Sequence, residues 1–237
     1  MKPTTREEWL NRSLEEILEK REEFDTGTSD WNDWNELKAE KLELLKPTTK
    51  EEIIYFEETV LLDLPEGLSE IKTLPHYPFA TMKRSLLEYH PEKRHPIPYA
   101  IVKFQKYYFF ILRENASGEL RLIGKKGMLG GHVGKEDVDT MSLNKTLLNG
   151  LRRELHEEAG ITDELIRSIQ LKGLLKSNEG VDADHLGVIY EIELATDNIA
   201  SKEDALSGIW IHESELEHHA NSFESWASMI YKKWLKQ

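Results

Sequence analysis

Apolar positions along this chain recur with two different periods, and the change from one to the other divides it. Near the start, Thr4-Thr5-Arg6-Glu7-Glu8 offers a capping box, and Trp9, Leu10, Leu14, Ile17 and Leu18 then follow at helical spacing. Gly27 and its neighbours break the pattern. A second segment places Trp31, Trp34, Leu37 and Leu42 on roughly one face and ends before Pro47. Pro47-Thr48-Thr49-Lys50-Glu51-Glu52 echoes Pro3-Thr4-Thr5-Arg6-Glu7-Glu8, and two unrelated helices sharing a good start signal explain the echo more simply than a duplicated unit. From Thr59 the texture becomes that of strands. These are expected at 59–62, at 99–104 after Pro96 and Pro98, at 107–113, at 119–123 and at 170–176. A further strand at 185–194 alternates through Val188, Tyr190, Ile192 and Leu194. A helix is expected over 142–159. A last one, capped by residues 221–224, carries the stripe Phe223, Trp226, Ile230 and Trp234. Strands and helices mix without regular βαβ alternation, so the class is α+β, with residues 1–57 a helical extension and 58–237 the main domain.

Composition narrows the chemistry. An apolar fraction of 39% over 237 residues suffices for one domain with a real core plus an appendage. No apolar run approaches bilayer length, and the start of the chain lacks the apolar stretch of a secretion signal; a cytoplasmic location and no membrane partner are expected. There is no cysteine, which excludes disulfides, thiolate metal sites and a cysteine nucleophile. A net charge of −13 makes a general nucleic-acid binder a poor reading, since that needs a basic face. An anionic small molecule is still admissible where metal ions and a few local cations reverse the field.

The informative segment is Arg153-Glu154-Leu155-His156-Glu157-Glu158-Ala159-Gly160-Ile161. On a helix, Glu154, Glu157 and Glu158 stand at i, i+3 and i+4 and point to one side. Carboxylates crowded this way repel unless cations sit among them, and hard oxygen ligands suit Mg²⁺ or Mn²⁺. Leu151 and Leu155 supply an apolar stripe, Gly160 is placed to end the helix, and Arg153 lies where it can hold a glutamate. A solvated acidic helix face explains the same residues about equally well on helix logic alone. Upstream, Gly130-Gly131-His132-Val133-Gly134 is a glycine loop of the kind that lets backbone amides approach phosphate, although glycines before a helix are as often a plain turn.

Loop and helix together resemble the Nudix box: Gly, five residues, Glu, seven residues, Arg-Glu, an aliphatic, any residue, Glu-Glu, any residue, Gly, an aliphatic. Residues 153–161 match its second half in full. In the first half Gly131 is the matching glycine, but Asp137 stands five residues on, and fifteen residues rather than seven separate Asp137 from Arg153. Counting back from Arg153 reaches Lys145 instead. Either Asp137 replaces the glutamate after an insertion, or that role is unfilled. The strings His95-Pro96-Ile97-Pro98-Tyr99-Ala100-Ile101-Val102, Gly118-Glu119-Leu120-Arg121-Leu122 and His185-Leu186-Gly187-Val188 are similar to a bacterial Nudix subgroup. So are Trp210 before an acidic turn and Glu224-Ser225-Trp226. The likeness covers about residues 58–237.

The resemblance implies an α/β/α sandwich around a mixed sheet, and hydrolysis of a diphosphate linkage in a nucleoside-diphosphate-X small molecule. It implies Mg²⁺ or Mn²⁺ held by Glu154, Glu157 and Glu158, with Asp137 a helper, and catalytic roles for Arg153, Glu157 and Glu158. Gly130, Gly131 and His132 would meet substrate. Arg113 and Arg121, with Arg84 and Lys125, are candidates for cationic help at the phosphates, although ordinary exposed charge is the commoner explanation for any one of them. The base would be Glu157, Glu158 or an acid of a later loop (Asp182, Asp184, Glu203 or Asp204). No histidine spacing suggests a zinc site: His156 points away from the acidic face, and His218-His219 reads as surface. Isopentenyl-diphosphate isomerase shares the fold but commonly uses a cysteine, which this chain lacks. A Nudix-like nucleotide sensor is the non-enzyme rival. The extension is expected either to join two copies as a homodimer or to cap the domain, its tryptophans Trp9, Trp31 and Trp34 serving as packing.

Overall fold

The alternating run His185–Leu194 is β9, and it lies in the middle of a mixed sheet. In a computed structural model describing residues 51–87, 90, 92–113, 124–178, 183–199 and 206–236, six strands cross that sheet side by side. They run in the order β10 (Leu206–His212), β5 (Tyr107–Arg113), β4 (Lys93–Phe104), β9, β8 (Ile166–Lys176) and β2 (Gly67–Glu70). Neighbours are antiparallel except β4 and β9, which run parallel at the centre. Beside them, β1 (Glu52–Glu57) pairs with β3 (Ala80–Lys83) and with the start of β4, while β6 (Lys126–Gly127) and β7 (Leu129–Gly130) pair with β5 and β4.

Period-2 alternation divides β4 between two cores. Ile97, Tyr99 and Ile101 face one layer with Trp226, Ala227 and Ile230 of α2 (Ser225–Ile230), which continues as a π turn over Tyr231–Leu235. Ala100 and Val102 face the other, packed with Leu147, Leu151 and Leu155 of α1 (Leu143–Ala159). The result is the expected α/β/α sandwich. Each of these leucines is fully buried, worth about 1.5–3 kcal/mol per side chain. Ser142 caps α1 by accepting the Lys145 N–H at 3.2 Å, and Gly160 ends it at φ 63°, a left-handed value that suits glycine.

Several expectations are corrected. Residues 59–62 are not a strand: Glu58–Leu61 is a single 3₁₀ turn that buries Leu61 and leaves Leu62 exposed, a short apolar run without alternation. Glu52–Glu57, assigned to the helical extension, is strand β1, because Ile53, Ile54 and Phe56 are β-branched or aromatic residues that bury against the sheet. The start signal at Pro47 therefore leads into a strand. At the other end, Asn221 and Ser222 form a separate 3₁₀ turn and Glu224 precedes α2 without capping it, its carboxylate accepting instead from the Tyr99 hydroxyl. Strand β10 has no counterpart among the expected elements. Residues 1–50 of the expected extension and the expected strand 119–123 lie outside the described residues. No described helix is long and apolar enough to cross a membrane.

The entry of β4 is anchored by charge. Buried Arg94 donates to Glu58, to the Ser177 carbonyl at 2.7 Å and to Asn178 at 2.7 Å, and buried Lys176 reaches Glu58 at 2.7 Å. Burial pushes the Glu58 carboxyl up, but Lys176 and Arg94 together outweigh it and hold the group below the ordinary value of 4.5. A folded value below the unfolded one stabilises the protein above the unfolded pKa, and that stabilisation is lost as pH falls through the folded value. The urea midpoint is therefore expected to decline as pH drops below about 4.5, with a shallower decline in Glu58→Gln; parallel curves for the two proteins would remove Glu58 as the cause.

Candidate active site

The glycine loop leaves β7 and is fastened to the acidic face of α1 at three successive residues. Gly130 N–H donates to Glu158 Oε2 at 3.1 Å, the Glu154 carboxylate lies against Gly131, and the His132 carbonyl accepts from Arg153 Nη2 at 2.8 Å. A Cβ at Gly131 would overlap the Glu154 carboxylate. At Gly130 it would overlap the Pro98 carbonyl oxygen, which belongs to backbone and cannot swing aside. Gly130→Ala is accordingly expected to cost about 1–3 kcal/mol, the scale of overpacking; an unchanged thermal midpoint would count against this close fit.

Arg153 is the hub. Its Nη1 reaches Glu154 Oε1 at 2.8 Å and Glu157 Oε2 at 3.0 Å, and its Nη2 reaches Asp137 Oδ2 at 2.8 Å. Asp137 is buried, in the 3₁₀ turn Lys135–Asp137, and its Oδ2 also accepts the Gly134 N–H at 2.9 Å. Asp137 is thus engaged as the counter-ion of Arg153 and a lock on the loop. Lys145, the position reached by counting back, sits in the first turn of α1 and pairs with Asp139 at 2.6 Å. Of the fifteen residues between Asp137 and Arg153, those from Leu143 onward belong to α1, and the acidic residues stand in its C-terminal half.

The glutamates differ in exposure. Glu158 is buried, Glu154 mostly so, and Glu157 is 54% exposed. Burial raises the Glu154 carboxyl above its ordinary value; Glu157 and Asp137 add to the rise, and Arg153 opposes it. Burial alone would lower the Arg153 guanidinium, but Asp137 and Glu154 hold it further on the charged side.

Arg113 ends β5 opposite Leu206, and Arg121, Asp182, Glu203 and Asp204 lie outside the described residues. Arg84 binds Glu51 at 3.1 Å, and Lys125 donates to the Asn221 carbonyl at 3.4 Å, near the foot of α2. Asp184 precedes β9. His156 is exposed, as expected, and His218 pairs on the surface with Glu215 at 3.0 Å. A cavity of about 710 Å³ opens on a different flank of α1, lined by Asn144, Leu148, Arg152, Arg167 and Tyr190; none of the three glutamates lines it.

One grouping was missed from sequence. The parallel register sets His95 of β4 opposite His185 of β9, and the glycine loop brings His132 to both. One ring nitrogen of each lies within 4.8 Å of the other two. His95 and His132 touch through Nδ1 and Nε2 at 3.3 Å, and the three ring centroids are 5.0–5.4 Å apart. Burial pushes His95 down to about 3 and His132 well below 6.5, with His185 and Arg84 acting in the same direction.

No family model matches the sequence. The chain is similar to the protein YmaB of Bacillus subtilis (strain 168), with 29% identity over 170 residues, 69% of this chain and 82% of YmaB. Among solved structures it is similar to Tm1382, a protein assigned as a Nudix hydrolase, at a TM-score of 0.64 and 23% identity over 78% of this chain and 98% of that one. A Nudix hydrolase from Nitrosomonas europaea aligns at a TM-score of 0.42 and 16% identity over 74% of this chain and 89% of its own. The order of strands, the two covering layers and the glutamate helix beside a glycine loop define the class: this chain has the Nudix fold.

Proposed function

We propose that this chain is a metal-dependent hydrolase of the Nudix type, cleaving a diphosphate linkage in a nucleoside-diphosphate-X small molecule. The observation that carries the reading is the fastening of the Gly130-Gly131-His132 loop to a helix face bearing Glu154, Glu157 and Glu158. Asp137, Glu154, Glu157 and Glu158 outnumber the Arg153 guanidinium among them, and Glu154, raised chiefly by burial and further by Glu157 and Asp137, gains most from a cation beside it. That surplus and the oxygen donor set fit a hard divalent cation.

Glu154, Glu157 and Glu158 are the residues we assign to hold Mg²⁺ or Mn²⁺. Bound there, the ion would neutralise phosphate charge and acidify an attacking water. Arg153 keeps Glu154 and Glu157 in register, and Asp137 keeps Arg153 in place, so both are positioning residues. Glu158 holds the loop through the Gly130 N–H. Glu157, the exposed carboxylate, is the proton acceptor we assign. Gly130, Gly131 and His132 would line the phosphate side of the site, with Arg113 and Arg121 as proposed cationic partners. We place the protein in the cytoplasm, with the segment before β1 as an appendage to the hydrolase domain.

The test is a product-release assay over a panel of nucleoside-diphosphate compounds, with Mg²⁺ or Mn²⁺ and after chelation. Turnover of at least one compound that depends on the ion is expected. Ligands that raise the thermal midpoint but are never turned over would make the chain a binding protein instead.

A further inference from the structure

The histidine cluster joins His132, from the loop beside the carboxylate face, to His95 and His185 of the central strands. We propose that His95, His132 and His185 form a second metal site, selective for an imidazole-binding transition ion such as Zn²⁺, beside the carboxylate helix. Two nitrogens on one tetrahedral Zn²⁺, each about 2.0–2.1 Å from the ion, stand roughly 3.3–3.4 Å apart. His95 Nδ1 and His132 Nε2 are separated by 3.3 Å, and His185 brings its own nitrogen within 4.8 Å of both. His95 is 1% exposed, and its Nδ1 faces the His132 Nε2 inside the protein. Burial also favours the neutral form of His95 and His132, the form that ligates a metal.

The rings rest on fixed backbone. His95 and His185 sit opposite each other at the start of a parallel pair, and His132 is held through its carbonyl by Arg153. Three imidazoles suit Zn²⁺, Co²⁺, Ni²⁺ or Cu²⁺ and discriminate against Mg²⁺, whereas the carboxylates of α1 have the opposite preference. Three protein ligands leave a fourth position open to water or another small ligand. The site stands whether or not the chain hydrolyses diphosphates.

The test uses the full chain, stripped of metal and titrated with Co²⁺ in the presence of excess Mg²⁺ while visible absorption is followed. Zn²⁺ affinity is then measured by competition with a chromophoric chelator. One equivalent of Co²⁺ with a tetrahedral-type spectrum is expected, unchanged in the Glu154→Gln/Glu157→Gln double variant. His132→Ala and His185→Ala should abolish the spectrum and weaken Zn²⁺ by more than about 100-fold, beyond the cost of losing an outer-shell partner. His185→Asn, which keeps a polar side chain in place, should do the same with an unaltered circular dichroism spectrum. Absence of the band in the wild type, its survival in the histidine variants, or its loss in the glutamate variant would each overturn the proposal.

Discussion

Glu157→Gln is expected to lower metal-dependent turnover by about 10²–10³-fold, the scale of removing one electrostatic partner of a transition state. Glutamine keeps the size and one acceptor oxygen but lacks the charge that binds a hard cation and takes a proton. The same change should leave the unfolding free energy within about 0.5 kcal/mol of the wild type, because Glu157 is 54% exposed and its contact with Arg153 is an ion pair open to solvent. The two readouts separate a role in chemistry from a role in folding. Steady-state rates on whichever panel compound is turned over, paired with urea unfolding, check both. A variant that retains wild-type turnover would take Glu157 out of the mechanism. One that loses stability in step with activity would make it structural.

Asp137→Ala should act the other way round. Asp137 is 6% exposed; both of its oxygens meet the Arg153 guanidinium, and Oδ2 also takes the Gly134 N–H. Removing Asp137 leaves the Gly134 N–H without its acceptor and strips Arg153 of its buried carboxylate, while Glu154 and Glu157 still hold the guanidinium; the cost is about 1–3 kcal/mol. Asn at this position would keep the size and an acceptor for Gly134 but not the charge, and should fall between the two. Turnover is expected to drop as well, since Arg153 would no longer be held between the loop and Glu154. Urea unfolding of the three proteins measures the effect. A loss under about 1 kcal/mol for alanine would show that the guanidinium finds adequate solvent and that Asp137 is dispensable.

What the sequence made legible follows the range of the interactions concerned. Helix α1, with Ser142 before it and Gly160 after it, could be read because caps and apolar stripe are all local. So could β9, whose burial alternates from Tyr190 to Leu194 after a run buried on both faces, and the acidic face, which needs only helical geometry. Which residue fills the position of the first box glutamate could not be settled by counting, which offered Asp137 or Lys145; the fold sets Asp137 against Arg153 and Lys145 against Asp139. Strand β1 was hidden behind a helix start signal because Ile53 and Phe56 gain their stabilisation from distant strands. The histidine cluster had no signature at all. Its members come from two strands and a loop, and they converge only through the parallel register of β4 with β9, which no spacing encodes.

That parallel pairing also sets an order of assembly. β4 with β5, and β8 with β9, are antiparallel neighbours that lie close along the chain, so each pair can form early. Joining β4 to β9 brings together His95 and His185 and closes a long stretch of chain, with an entropic cost that slows such contacts. The seam at the middle of the sheet is thus the late step. A chain that has formed both hairpins and α1 still has its histidines on separate halves, so the whole site comes into being with the closing of that seam.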